Sequence, residues 1–294
     1  MTAPLHIPVL RDEILHWLNP QPGQIIVDGT LGGGGHTRAI AEHLHNSTGF
    51  ILALDRDPAA IAAAEKNLAG LPIKVAQANF CDLPEVLEEL QQDSVDAVLL
   101  DIGLSSDQLA DNSRGFSFDA AGPLDLRFDP TAGEPAWQLL ARMQERDLAN
   151  LIYEFGEERY SRRIARRIVE ERVKAPLQSA AEIARLVRRC VPRSADKLDP
   201  ATRTFQALRI ATNAELASLD KALQRIPDCL KPGGRFAIIS FHSLEDRRVK
   251  NAFRDDPRLE VLTKKPLTAT PTEIQTNPRS RSAKLRVARR TPTH

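Results

Sequence analysis

Three short apolar segments in the first part of the sequence each end at an aspartate. They are Ile25–Val27 before Asp28, Phe50–Leu54 before Asp55, and Val95–Leu100 before Asp101. Continuous apolar runs of this length are typical of strands that are buried on both faces, and helix-compatible segments separate them. Alternation of this kind predicts a parallel sheet with helices on both faces.

The rest of the sequence supplies further strand and helix signals. Strands are expected at Ile73–Ala76, Phe236–Ser240, Leu259–Thr263 and Lys284–Ala288, which brings the sheet to seven strands. A single amphipathic helix is expected at Thr204–Arg225, followed by a turn at Pro232–Gly234.

An insertion is predicted between the fourth strand and the fifth. Residues 102–135 are rich in Gly, Ser, Asp and Pro, and residues 136–195 have helical periodicity without a strand signal. We therefore expect one domain made of residues 1–105 and 200–294, which carries the sheet. Residues 106–199 would form an inserted loop and helical domain.

The composition is that of an ordinary globular protein. Of 294 residues, 42% are hydrophobic and 27% are charged, and the net charge is +1. The longest apolar runs have the length of strands, and the N-terminus lacks the pattern of a signal peptide, so a cytoplasmic protein is expected. Cys81, Cys190 and Cys229 form no CxxC pair, and we expect neither a disulfide framework nor a metal site.

A glycine-rich segment follows the first predicted strand. It reads Asp28-Gly29-Thr30-Leu31-Gly32-Gly33-Gly34-Gly35, and it lies at the carboxyl end of a strand, where open α/β sheets bind ligands. Asp55 ends the next strand about 20 residues further on, where a carboxylate can accept hydrogen bonds from both hydroxyls of a ribose. Together these features predict a nucleoside site. The alternative is a mobile glycine loop with a surface aspartate.

A nucleoside site of this kind is compatible with methyl transfer and with hydride transfer. A nicotinamide dehydrogenase uses a similar loop and acid, and must also bind a pyrophosphate. The segment Leu230–Arg235, which runs straight into the strand Phe236–Ser240, resembles the turn before the fifth strand of seven-stranded methyltransferases. This resemblance favours methyl transfer.

Longer motifs, distributed over nearly the whole chain, resemble those of one bacterial enzyme family. They are His6-Ile7-Pro8-Val9-Leu10, Asp28-Gly29-Thr30 with Gly34-Gly35-His36, Leu54-Asp55-Arg56-Asp57-Pro58, Asp101-Ile102-Gly103-Leu104-Ser105-Ser106, Arg114-Gly115-Phe116-Ser117-Phe118, Gly122-Pro123-Leu124-Asp125, Thr202-Arg203-Thr204-Phe205-Gln206-Ala207 and Ser240-Phe241-His242-Ser243-Leu244-Glu245-Asp246-Arg247. The chain is similar throughout to the family that methylates the N4 of a cytosine in small-subunit ribosomal RNA, also called MraW or RsmH.

The resemblance implies a fold, a cofactor and a partner. The fold would be a doubly wound, seven-stranded class I methyltransferase sheet of the Rossmann-like type, with an inserted helical domain. The cofactor would be S-adenosyl-L-methionine. The partner would be 16S ribosomal RNA, in the small ribosomal subunit or in an assembly intermediate.

The same resemblance implies a set of cofactor contacts. They are Gly34, Gly35 and His36 at the methionine end, Asp55 at the ribose, Phe80 at the adenine, and Asp28, Asp101 and Gln108 around the rest of the pocket. An aromatic face stacks well on a purine, which agrees with the role of Phe80. The alternative for Phe80 is a place in the core.

The chemical step needs groups that hold the cytosine amino group, whose lone pair is delocalised into the ring. Asp101 is expected to orient this amino group or the methyl end of the cofactor, with Ser105, Ser106 and His242 as further catalytic candidates. The alternative for Asp101 is a loop-capping aspartate. The target base must leave its stack, and the candidates for stacking on it are Phe116, Phe118, Phe241 and His242.

An arginine-rich helix is predicted between residues 156 and 172. Its exposed cations are Arg162, Arg163, Arg166 and Arg167, and an apolar stripe of Tyr160, Ile164 and Ile168 lies opposite. Guanidinium groups bind phosphate in bidentate fashion, so we expect these arginines to bind RNA. The alternative is a solvated face that pairs with neighbouring glutamates.

Other functions stay open on the sequence alone. The chain is also compatible with a DNA or protein methyltransferase, and with a non-catalytic RNA-binding protein that retains a vestigial nucleoside pocket. The intact set of Asp28, Gly34–His36, Asp55 and Asp101 argues against the last of these. No membrane partner is expected, and the sequence leaves a homodimer open.

Overall fold

The structure is a computed structural model that describes residues 8–44, 48–120, 122–192 and 198–292, with Ser106 described by its main chain only. The chain divides into two compact units. We call residues 1–104 with 216–294 the sheet unit, and residues 105–215 the helical unit. In the described part of the chain, no helix is both long enough and apolar enough to cross a membrane.

The sheet unit contains a seven-stranded sheet in the order β3-β2-β1-β4-β5-β7-β6. The strands are β1 (Ile25–Asp28), β2 (Phe50–Asp55), β3 (Ile73–Gln77), β4 (Val95–Asp101), β5 (Leu230–Ser240), β6 (Leu259–Val261) and β7 (Lys284–Arg290). Strands β1 to β5 are parallel, whereas β7 runs antiparallel to both β5 and β6. The order reverses between β1 and β4, which is where sheets of this kind bind ligands.

Helices cover both faces of this sheet. They are α1 (Arg11–Leu18), α2 (Gly35–Leu44), α3 (Pro58–Asn67), α4 (Leu83–Glu89), α11 (Glu215–Cys229), α12 (Ser243–Asp255) and α13 (Pro271–Thr276). Adjacent strand residues enter different cores, since Val27 and Leu100 pack in one cluster, and Ile26 and Leu99 in another. Burial on both faces explains why the parallel strands have continuous apolar sequences.

The helical unit has no strand among its described residues. Its helices are α5 (Ser106–Ala110), α6 (Ala136–Arg142), α7 (Glu145–Gly156), α8 (Ser161–Arg172), α9 (Ala180–Cys190) and α10 (Thr202–Asn213). Gly156 lets α7 and α10 pack closely, because a Cβ at this position would lie 2.4 Å from the main-chain oxygen of Arg203. Helix α10 therefore belongs to the helical unit, whereas the sequence analysis assigned residues from 200 onward to the sheet domain.

Most expected strands are present with ends shifted by a few residues, and one expectation was wrong. The single helix predicted over Thr204–Arg225 is two helices, because Ala214 adopts a left-handed conformation with φ of 50° and ends α10. The turn predicted at Pro232–Gly234 lies inside the range of β5, where the pairing with β4 skips from Leu230 to Arg235 and Gly233 has a φ of 82°.

Candidate active site

Asp28 stabilises the loop between β1 and α2. This carboxylate is 1% exposed, and it accepts hydrogen bonds from the Thr30 main-chain nitrogen (3.1 Å) and the Thr37 hydroxyl (2.7 Å). Burial raises the pKa of Asp28. Asp28 therefore stabilises the loop, and each of its oxygens can still accept a further hydrogen bond, so the predicted contact with the cofactor stays a prediction.

Glycines allow this loop to take its path. Gly32 and Gly34 have positive φ angles of 48° and 74°, which residues other than glycine rarely adopt. A Cβ on Gly29 would lie 2.5 Å from Leu100 Cδ2 and 2.9 Å from Phe80 Cβ. The loop therefore runs directly over the carboxyl end of the sheet, and Phe80, which is partly buried, lies beside it.

Asp55 joins the end of β2 to the glycine loop. Its Oδ2 accepts a hydrogen bond from the Gly32 nitrogen at 2.8 Å, and its Oδ1 accepts one from the Asp57 nitrogen at 2.9 Å. Burial raises the pKa of this carboxyl as well. Each oxygen keeps a second lone pair, so the group can still accept hydrogen bonds from two hydroxyls.

Asp101 ends β4 next to the same loop. Its main-chain nitrogen donates to the Thr30 hydroxyl at 2.6 Å, and its Oδ2 lies 3.6 Å from Nε2 of His36. Within the described part of the chain, Asp101 Oδ1 is buried and has no hydrogen-bond partner. Burial, followed by the charge of Asp28, raises the pKa of Asp101 to about 7. This carboxyl can therefore gain or lose a proton near neutral pH.

Glu245 organises the turn after β5, and the sequence analysis gave it no role. It is 2% exposed, and its Oε2 accepts hydrogen bonds from the main-chain nitrogens of Phe241 (2.8 Å) and His242 (3.3 Å). Its Oε1 lies 3.0 Å from Nε2 of His242. The sequence did contain a signal for this role, because His242 lies three positions before Glu245, which is the spacing of a helix cap.

Phe241 and His242 stay candidates for contact with a base. A Cβ on Gly103 would lie 2.5 Å from the Phe241 ring, so this ring packs on the main chain just after β4. Phe241 and His242 are both partly exposed, and Glu245 fixes both of their main chains. The end of β5 therefore presents an aromatic ring and an imidazole near the segment that follows Asp101.

Several predicted site residues lie in the helical unit. Ser105 and Gln108 form a reciprocal cap of α5, in which the Ser105 hydroxyl accepts from the Gln108 nitrogen and the Gln108 side chain accepts from the Ser105 nitrogen, each at 3.1 Å. The Ser106 side chain lies outside the described atoms. Phe116 is 5% exposed and stacks on Phe128 at 6.0 Å, which makes it a core residue of this unit.

The predicted arginines lie on the exposed face of α8, opposite the buried Ile164 and Ile168. Arg167 pairs with Glu171 at 2.6 Å, and Arg166 lies 3.7 Å from Glu145. Arg162 and Arg163 make no ion pair within the described residues. Two of the four arginines are therefore paired with glutamates and two are not, and RNA binding by this helix stays a prediction.

The sheet-unit residues fit S-adenosylmethionine. The carboxyl ends of β2, β1 and β4 bring Asp55, Asp28 and Asp101 together, and their mutual repulsion contributes to the raised pKa values of Asp28 and Asp101. A sulfonium cation would relieve this repulsion. Asp55 supplies acceptors for ribose hydroxyls, and the positive-φ glycines leave the loop main chain open to a ligand.

The raised pKa of Asp101 predicts an effect on stability. The carboxyl titrates near 3.8 in an unfolded chain and near 7 in the fold, so its contribution is fully present below pH 3.8 and is lost as the pH rises through about 7. Asp101→Asn should therefore raise the melting temperature more above about pH 7 than below about pH 4. Thermal unfolding of both proteins across this range checks it, and an equal difference throughout would contradict it.

Comparisons with known proteins identify the family of this chain. Residues 3–291 match the MraW methylase family. "Ribosomal RNA small subunit methyltransferase H" of Rhodopirellula baltica is 51% identical, over 97% of this chain and 91% of the relative. Relatives of the same name from Pelobacter propionicus and Synechococcus elongatus are 44% and 48% identical, over 96% and 97% of this chain and 97% and 94% of their own. This chain belongs to the MraW methylase family.

Proposed function

We propose that this protein uses S-adenosylmethionine to methylate the N4 of a cytosine in 16S ribosomal RNA of the small ribosomal subunit or an assembly intermediate. The observation that carries the proposal is Asp101, whose carboxyl is 22% exposed, has a pKa of about 7 and has one buried oxygen without a hydrogen-bond partner in the described chain. The names of the relatives support ribosomal RNA as the substrate. We place the reaction in the cytoplasm.

The cofactor would be held by the sheet unit. Asp55 accepts the ribose hydroxyls, Gly34 and Gly35 give main-chain access to the methionine end, and His36 lies between that end and Asp101. Phe80, beside Gly29, is placed to contact the adenine. When bound, S-adenosylmethionine supplies an electrophilic methyl group.

Asp101 would act on the amino group that is methylated. The unpartnered Oδ1 accepts a hydrogen bond from the cytosine N4, which fixes the direction of the nitrogen lone pair. The same carboxylate takes up the proton that this nitrogen gives up when it is methylated. A pKa of about 7 suits both roles, because the group is largely ionised just above neutral pH and can still be protonated during the step.

Helix α8 would bind the RNA backbone through its unpaired cations. Arg162 and Arg163 are the better contacts, because binding phosphate does not require them to break an ion pair. Arg166 and Arg167 would have to leave Glu145 and Glu171. This proposal gives the helical unit a role in substrate recognition.

Replacing Arg162 and Arg163 together by Ala should weaken RNA binding and make it less sensitive to salt. Each lost contact with a single strand should reduce the slope of log K against log salt by about 0.7. Anisotropy titrations at several salt concentrations measure this slope. The matched control is Arg142→Ala with Lys174→Ala, because both cations pair with glutamates in the same unit. If the Arg162 and Arg163 double variant keeps the wild-type slope, these arginines form a solvated face of α8 and do not bind RNA.

A tritium-transfer assay separates this function from its rivals. Purified protein is incubated with methyl-labelled cofactor and, in parallel, with small-subunit ribosomal RNA, DNA or protein. We expect label in RNA alone. Label in DNA or protein would select a different methyltransferase, and cofactor binding without transfer to any substrate would indicate a silent RNA-binding protein.

A further inference from the structure

A group of cations in the sheet unit has no part in the site described above. Lys250 and Arg254 on α12, Lys264 after β6, and Arg286 on β7 line one cavity of about 210 Å³. The other residues that line it are Phe253, Val261 and Thr263, and no carboxylate is among the described residues that do so. The cavity therefore combines apolar side chains with a concentration of positive charge.

Two of these four cations are neutralised by neighbours. Arg286 Nε lies 2.7 Å from Asp246 Oδ1, and Arg254 Nε lies 2.7 Å from Asp255 Oδ1. Lys250 and Lys264 are exposed, and neither forms an ion pair within the described residues. Their two ammonium groups leave the cavity with an excess of positive charge that an anion would balance.

A second cavity in the same unit differs in charge, because carboxylates are among the residues that line it. The cavity between α4 and α11 has a volume of about 480 Å³, and its lining includes Glu88, Asp93 and Asp228. Arg225, which also lines it, pairs with Glu85 at 2.6 Å. An anion would be repelled there, whereas the cavity beside α12 would attract one.

The cations on α12 form a row. Arg247, Lys250 and Arg254 are all exposed, and their spacing of three and four residues places them on one face of the helix. Lys250 and Arg254 are separated by about 6 Å along the axis, close to the distance between neighbouring phosphates in a single nucleic-acid strand. The row begins in the second turn of α12, whose cap is His242 at the candidate active site.

We propose that Lys250 and Lys264, together with Arg254 once it exchanges Asp255 for a phosphate, form a surface that binds the phosphate backbone of the RNA strand that carries the target cytosine, and we call these three residues the α12 cation surface. The inference rests on the proposed function and adds a backbone contact within the sheet unit. Lysine ammonium groups act as point charges, and they bind phosphates without selecting a sequence. Such contacts would fix the register of the strand beside the residues that act on the base.

The test is the double variant Lys250→Ala with Lys264→Ala. Binding of a fluorescently labelled single-stranded RNA oligonucleotide is measured by anisotropy at several salt concentrations. Affinity should fall several-fold, and the slope of log K against log salt should become shallower by about 1.4, the value for two lost contacts. Lys250→Arg with Lys264→Arg should restore the wild-type slope.

The control variant is Lys66→Ala with Lys74→Ala, on α3 and β3 at the opposite edge of the sheet. It removes the same charge and should leave the slope unchanged. Affinity for S-adenosylmethionine should stay at the wild-type value in both double variants, and the melting temperature should do so in the α12 variant. A slope equal to that of the wild type in the α12 variant would overturn the inference.

Methyl transfer to small-subunit RNA, measured on the same preparations, separates this inference from the function on which it rests. Wild-type protein that transfers methyl groups, together with an unchanged slope in the α12 variant, overturns the surface alone. Wild-type protein that transfers none to RNA overturns the proposed function, and with it the inference.

Discussion

Asp101→Asn is expected to lower the single-turnover rate of methyl transfer by a factor of about 100 or more, the scale for a positioned acid or base. The amide keeps the shape of the side chain, but it cannot take up the proton that the amino nitrogen releases. Rapid-quench measurement at saturating cofactor and RNA gives this rate directly. The fold and most of the affinity for RNA should be retained.

The pH profile distinguishes a chemical role from a structural one. Because the pKa of Asp101 is raised to about 7 in the free protein, the wild-type rate measured with cofactor and RNA below saturation should increase as the pH rises toward that value and the carboxyl loses its proton. The Asn variant should lack this increase. Asp93→Asn, an exposed carboxylate just before β4, is the matched control. An Asn variant that methylates within a few-fold of wild type would remove Asp101 from the chemistry and direct attention to His242.

Asp55→Ala is expected to weaken binding of S-adenosylmethionine by about 1.5 to 3 kcal/mol, the range for hydrogen bonds to a charged group. Isothermal titration calorimetry measures the loss. The carboxylate also holds the Gly32 and Asp57 nitrogens, so a loosened loop contributes to the effect.

A cofactor analogue without the ribose 2′-hydroxyl separates these two contributions. Wild-type protein should bind the analogue more weakly than the cofactor itself, because Asp55 loses a donor. Asp55→Ala should bind both ligands equally. If the variant discriminates between them as strongly as the wild type, Asp55 only holds the loop and does not contact the ribose.

The features that the sequence predicted well are those with a local physical cause. Strands β1, β2 and β4 end at Asp28, Asp55 and Asp101 as expected, because burial on both faces requires continuous apolar residues. The cap of α3 was also predicted, and Asp57 does accept a hydrogen bond from the Ala59 nitrogen at 3.0 Å. The aspartates at the sheet edge follow from these strand ends.

The features that could not be predicted from the sequence depend on tertiary contacts. Apolar periodicity continues across Ala214, so nothing local revealed that α10 ends there and packs on α7 through Gly156. The cap that Gln108 forms with Ser105 was also not predicted, and the contact of Gln108 with the cofactor stays a prediction. Glu245 was overlooked because a glutamate in a helix is usually exposed, whereas burial beside Phe241 makes this one a support of the site.

Methylation of a cytosine N4 by this protein can be tested by mapping methylated nucleotides in 16S ribosomal RNA from cells with and without the protein, followed by restoration with wild type or Asp101→Asn. We expect one cytosine that carries an N4-methyl group only when active protein is present. The Asp101 variant should fail to restore it although the protein accumulates. An unchanged methylation pattern in cells that lack the protein would rule out this activity.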